Sequence, residues 1–238
     1  MLSGLLLGED YPELEQIRVR EFAPNVAIGI SRGRFPKGYP HVDANEDAVY
    51  AATDGTTTVL AVADGHNGFD AARSAMMAIA AATPRFMNGA LETVIRQISM
   101  AALAAVSEAV PPLPPPRDTS ETSLTIAAIR DNAVATTTIG DTALFVVAGR
   151  RITRHGTDTE YVSPTTDAAA IEFISAKISA KAVVILASDG FLDFAADPRT
   201  ALRTAATLAV SDAANQLISE AFAGGAGDNI AIALYTGS

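Results

Sequence analysis

The residues of this chain best suited to chemistry are carboxylates at the ends of apolar runs. In residues 59–69, VLAVADGHNGF, an apolar run stops at Asp64-Gly65-His66 and gives way to a helix-like segment. An acid, a glycine and an imidazole therefore share the end of a buried strand. Taken alone, Asp-Gly is a common turn dipeptide, and the bland reading is a turn. The arrangement recurs, however. Ser188-Asp189-Gly190 follows the apolar run 182–187, Glu46 and Asp47 open another run, and Asp228 stands just ahead of the last one. Glu46, Asp47, Asp64, Asp189, Asp193 and Asp228 all lie beside strand ends or turns. If these acids converge in a partly dry site they repel one another, and hard divalent cations accept such oxygen donors, with all-oxygen sites favouring Mg or Mn. A dinuclear Mg or Mn centre is the physical inference. Such a centre lowers the pKa of a water and clamps the oxygens of an in-line phosphoryl displacement. His66, next to Asp64, is then placed to protonate a leaving alkoxide.

Strands are needed to position these acids, and the sequence supplies them. Residues 25–30, NVAIGI, read as a strand, followed by a loop, SRGRFPKGYPHV, in which Arg32, Arg34 and Lys37 gather positive charge. The β-rich runs 47–53 and 57–63 flank Asp54-Gly55-Thr56 and predict a hairpin, which carries Glu46 and Asp47 towards Asp64. Helical periodicity follows over 67–82, ended by Thr83-Pro84, and again over about 90–110. The proline run 111–116 reads as a stiff connector. Three runs, 122–130, 133–139 and 143–148, predict an antiparallel meander with Asp141 closing one of its turns. Residues 150–164 look irregular, 167–180 helical, 182–187 a buried strand, 191–223 mostly helical with a break near Pro198, and the strand after Asp228 runs to Tyr235. Residues 1–24 mix acids, prolines and a few hydrophobics and are expected as an N-terminal arm or a short extra helix, with 25–238 forming one domain.

Composition narrows the classes. Of the 238 residues 49% are hydrophobic, yet no run reaches the roughly 18 uncharged apolar residues that a membrane span requires, so no membrane partner is expected. The opening MLSGLLLGEDYPELEQ lacks a basic leader, so no secretory signal is expected either. With no cysteine there is no disulfide framework, thiolate nucleophile or Cys-based zinc site, and a reducing cytoplasm is the expected setting. A formal charge of -10 opposes binding to nucleic acid.

The ordered blocks NEDAVY (45–50), VADGHNG (62–68), TSLTIAAI (122–129), IGDTALF (139–145), LASDGFLD (186–193) and GDNIAIAL (227–234) resemble the metal-dependent protein phosphatases of the PPM, or PP2C, family. The resemblance runs in family order from residue 25 onward. It implies an α+β fold, a four-layer αββα sandwich of two central antiparallel sheets flanked by helix pairs. It also implies hydrolysis of phosphoserine or phosphothreonine on a phosphoprotein substrate, with two, in some relatives three, Mn or Mg ions and no phosphoenzyme. Carried over, Asp64 bridges two metals, Gly65 lends its carbonyl, Asp189 and Asp228 complete one metal's protein ligands, Glu46 and Asp47 hold its waters, and His66 is the general acid. Asp141, with Asp189 and Asp193, matches a weaker third-metal site. The expected oligomeric state is a monomer.

Three departures stand beside this. The family's phosphate-gripping arginine, four residues before the glutamate of the NED block, is Val42 here, leaving Arg32, Arg34 or His41 as candidate phosphate-binding cations. The arginine of the family's GDSR block is also missing from Gly140-Asp141-Thr142-Ala143, and the segment between Gly149 and Ala182 looks short for the usual flap. They keep open an alternative, a phosphatase-like regulatory or binding module with weak or no catalysis. A haloacid-dehalogenase-type phosphatase is disfavoured, because neither ADG at 63–65 nor ATDG at 52–55 supplies two aspartates one residue apart.

Overall fold

The computed structural model describes residues 1–38, 43–110, 119–156 and 160–237. Its strands form two antiparallel six-stranded sheets. In spatial order the first holds β1 (Leu2–Leu7), β4 (Ala48–Thr53), β5 (Thr58–His66), β6 (Glu121–Arg130), β7 (Ala133–Ile139) and β10 (Ile174–Lys177). The second holds β2 (Arg18–Ala23), β3 (Val26–Ser31), β12 (Ile230–Thr236), β11 (Val183–Ala187), β8 (Ala143–Ala148) and β9 (Arg151–His155). Helices α1 (Asp70–Phe86) and α2 (Leu91–Ala109) cover the outer face of the first sheet. Helices α3 (Asp189–Phe194), α4 (Pro198–Ala205) and α5 (Val210–Ala223) cover the second. The result is the expected four-layer α+β sandwich.

Each central strand is buried on both faces, which explains runs such as VLAVA that lack polar alternation. In β5, Val59, Ala61 and Ala63 join the core under α1 and α2, whereas Leu60 and Val62 join the core between the sheets. Period two then sends Asp64 and His66 towards the inter-sheet side. The same parity puts Asp47 of the 47–53 run, Ser188 beyond β11 and Asn229 before β12 on that side. Because β4 pairs with β5 through Ala48↔Ala63, continuing the register sets Asp47 opposite Asp64. One end of the inter-sheet layer thus collects polar groups from both sheets.

Several expectations need correction. Asp64-Gly65 is not a turn: β6 pairs with β5 as far as Gly65↔Thr122 and His66↔Glu121, and the chain bends at Asn67 and Gly68, where φ is 60° and 112°. Residues 1–24, expected as an arm or a short helix, supply β1, which closes the edge beside β4, and β2, which pairs with β3, with a short 3₁₀ turn at Gly8–Asp10 between them. The meander is split, since β6 and β7 form a hairpin but β8 pairs with β11 and β9 in the other sheet. Residues 151–155, expected as irregular, are β9 on that sheet's edge. Residues 167–180 form a short 3₁₀ turn and β10, which pairs with the open edge of β7, rather than a helix. Helix α1 runs through Pro84 to Phe86; the proline sits in the last turns, where losing one N–H bond is tolerated. The 111–116 proline run lies outside the described residues.

Candidate active site

Five of the six strand-end acids converge, in two groups, and Asp193 lines a cleft beside them. Asp47, Asp64 and Asp189 form the buried centre. Asp64 and Asp189 are hydrogen-bonded to each other, and Asp47 and Asp64 are 1% and 3% exposed. Burial pushes all three carboxyls above their ordinary range; the Asp47 charge adds to it for Asp64 and the Asp64 charge for Asp189, whereas for Asp47 the nearby Lys37 opposes it and Asp228 adds to it. On the second side, Glu46 and Asp228 face Lys37, whose Nζ lies 3.0 Å from Glu46 Oε2 and 3.0 Å from Asp228 Oδ1. Burial opposes the Lys37 charge, but Asp228, Asp47, Glu46 and Asp64 outweigh it and hold the ammonium above its ordinary pKa.

The scaffold around these groups is specific. Glu46 accepts the Gly68 N–H on Oε1 at 2.6 Å, while its own N–H donates to Asn229 Oδ1 at 2.9 Å. Asn229 Nδ2 donates to the carbonyls of Arg32 and Ala44, so a single amide joins three segments at the site. Ser188 Oγ donates to Asp47 Oδ2 at 2.9 Å and accepts from Ala231 N at 2.8 Å, locking one sheet's acid to the other sheet's backbone. Thr122 Oγ1 donates to the Asp64 carbonyl.

His66 stands at the mouth. Its Nε2 lies 4.0 Å from Asp64 Oδ1, and its ring packs on Tyr161 with centroids 4.2 Å apart. Tyr161 donates its hydroxyl proton to Asp141 Oδ2 at 3.0 Å. Burial lowers the imidazole pKa, against the opposing pull of Asp141, and burial with the Asp141 charge raises that of the Tyr161 phenol. Ligand atoms of Asp64, His66 and Asp141 all fall within 4.8 Å of one another. Asp141 and Asp189 also open onto a cleft of about 700 Å³, lined further by Asp193, Arg154, Arg199 and the apolar Phe145, Ile152 and Leu202.

These residues fit a divalent metal. Asp47 Oδ1, Asp64 Oδ2 and Asp141 Oδ1 are buried with no hydrogen-bond partner among the described residues, as is His66 Nε2. Orphaned carboxylate oxygens carry a large desolvation penalty, and a hard cation satisfies several at once. Arg32 and Arg34 are engaged elsewhere: Arg32 Nη1 donates to the Pro12 carbonyl, Arg34 Nη1 to the Phe222 carbonyl, and Arg34 pairs with Glu15. His41 and Val42 lie outside the described residues.

Sequence reasoning passed over Lys37 as a member of the site, along with Asn229, Ser188 and Tyr161. Ser188 and Asn229 carried a signal, standing beside Asp189 and Asp228 in the SDG and GDN blocks. For Lys37 the only signal was its place among the cations of the 31–42 loop, which does not say which of the three meets the acids.

The model for protein phosphatase 2C matches residues 40–222. The chain belongs to this family. Among solved structures, the catalytic domain of the serine/threonine phosphatase PstP, in complex with two manganese ions, has a TM-score of 0.69 at 21% identity and covers 93% of this chain and 99% of its own. The PPM phosphatase MsPP of Mycobacterium smegmatis, in complex with cacodylate, has a TM-score of 0.69 at 18% identity, covering 94% and 99%. RsbX in complex with magnesium has a TM-score of 0.65 at 16% identity, covering 94% and 100%. At these identities the likeness is one of fold. No curated protein matches. Among the described residues no helix is long and apolar enough to cross a membrane.

Proposed function

We propose that this PP2C-family chain hydrolyses phosphoserine and phosphothreonine on proteins at the acid cluster. The carrying observation is the set of orphaned, buried carboxylate oxygens of Asp47, Asp64 and Asp141 beside Asp189 in a chain of this family. Asp64, the Gly65 carbonyl, Asp189 and Asp228 would hold two Mn or Mg ions, with Glu46 and Asp47 orienting their waters and Asp141 and Asp193 serving a third. Bound there, divalent cations neutralise phosphate charge and lower the pKa of water. Ser188 and Asn229 fix Asp47 and Glu46, so the donor set is preorganised. His66, through Nε2, carries the proton for the departing serine or threonine oxygen, and Tyr161 fixes its ring plane. The cleft beside Asp141 and Asp189 is where the rest of a phosphoprotein would lie.

The test is Mn-dependent phosphate release from p-nitrophenyl phosphate or a phosphopeptide. Activity is expected to vanish in excess chelator and to fall by about a hundredfold or more in Asp64→Asn, since a lost metal ligand removes the centre itself. Full activity in chelator would overturn the mechanism.

A second reading, a phosphatase-like regulatory or binding module, is favoured by one observation: Lys37 Nζ already sits on Glu46 and Asp228. Turnover well above that of His66→Ala discards it.

A further inference from the structure

We propose that Lys37 is a tethered cation that competes with a divalent metal for the Glu46–Asp228 side of the site, so that metal loading and release of Lys37 are one event. The proposal rests on the phosphatase reading of the acid cluster and adds a determinant of its metal affinity. Three observations carry it. Lys37 Nζ lies 3.0 Å from one oxygen of Glu46 and 3.0 Å from one of Asp228, with its side chain only 3% exposed. Burying an ammonium to that extent is tolerated only with close anionic partners, and here they are two residues of the acid cluster itself. The lysine's loop is also fixed just ahead of it, by Asn229 Nδ2 on the Arg32 carbonyl, the Glu15 N–H on the Gly33 carbonyl and the Arg34 and Phe35 N–H groups on the Ala226 carbonyl, so Nζ leaves the acids by rotation of its own flexible four-carbon stem.

A divalent ion on Asp228 would stand within a few ångströms of the ammonium. Like charges that close in a partly dry site are strongly unfavourable, so the two cations exclude each other. Lys37 is thus the counter-charge of the metal-free state. It limits carboxylate repulsion until metal arrives, at the expense of metal affinity.

The chain has three lysines, and the other two, Lys177 and Lys181, are exposed, which provides internal standards. Amine acetylation of the full chain, read site by site by mass spectrometry, is expected to spare Lys37 in chelator and to label it several-fold more in saturating Mn²⁺, with Lys177 and Lys181 unchanged. Continued protection of Lys37 with Mn²⁺ bound overturns the proposal. Calorimetric titration with Mn²⁺ gives a second reading: Lys37→Met is expected to bind about tenfold tighter or more, because a buried charge-assisted contact no longer has to be broken. Equal or weaker affinity in folded Lys37→Met overturns it, and if that variant does not fold the labelling result decides. Mn-dependent phosphatase activity with unaltered Lys37 protection removes this inference and leaves the function standing. Absence of Mn²⁺ binding in both proteins removes both.

Discussion

Gly65 has no room for a side chain. A Cβ there would meet the Glu46 carbonyl at 2.5 Å, a backbone atom that cannot turn aside. Gly65→Ala is therefore expected to push β5 away from residue 46, destabilising the protein by about 1–3 kcal/mol, read as a lower denaturant midpoint at unchanged slope. Ser188 acts at the same scale. Its hydroxyl holds Asp47 Oδ2 and satisfies Ala231 N, so Ser188→Ala leaves two buried groups unpaired. The expected loss is about 1–3 kcal/mol of stability, with Mn²⁺ affinity reduced by about 10–100-fold in a calorimetric titration. An unchanged Mn²⁺ affinity would mean that Asp47 is positioned without it.

At the scale of elements, β1 does what an arm would not. It pairs along β4 from Leu2↔Thr53 to Leu7↔Ala48, buries Leu6 between the sheets, and packs Leu5 and Leu7 against the core under α1. Removing residues 1–7 bares the edge of the strand that Glu46 and Asp47 lead into. Such a truncation is expected to lower stability by about 2–5 kcal/mol from the Leu6 site alone and to promote aggregation through the exposed β4 edge, measurable by denaturation and light scattering. A monomeric truncation of full stability would show that β1 is dispensable. Little in residues 1–7 announces β1, because a strand paired along one edge needs only a short apolar patch. The same holds for β10, whose four residues carry no periodicity of their own. By contrast β4, β5, β6, β11 and β12 were legible, since burial on both faces writes itself as continuous apolar runs.

For the whole molecule, the concentration of buried acids sets the response to pH. Burial, and then the Asp64 charge, raise the Asp189 carboxyl from its ordinary 3.8 to about 10, and Asp47 and Asp64 move in the same direction. A carboxyl with a raised folded pKa holds a proton that the unfolded chain releases. Its stabilisation is fully present below the unfolded pKa and is lost as pH rises through the folded one. The metal-free protein is therefore expected to lose thermal stability as pH rises from about 4 towards about 10, and Mn²⁺ to restore most at the alkaline end. Asp189→Asn removes one titrating group and is expected to flatten the melting-temperature profile in chelator. A wild-type profile already flat in chelator would show that these acids stay paired through another route.

The identity of the acids was written in the chain: Glu46, Asp47, Asp64, Asp189 and Asp228 each follow or precede a buried run, and local sequence carries that juxtaposition. Asp64-Gly65-His66 alone was ambiguous, because Asp-Gly favours a turn until pairing with β6 supplies the hydrogen bonds that keep the strand extended. Tertiary structure alone decided what the acids meet. Sheet order and the two-residue period bring Asp47, Asp64, Ser188 and Asn229 to one end of the inter-sheet layer from four separate segments. Lys37 joins them because desolvated carboxylates draw in the nearest cation a loop can deliver. Such a contact depends on distance in space, which the order of residues along a chain does not encode.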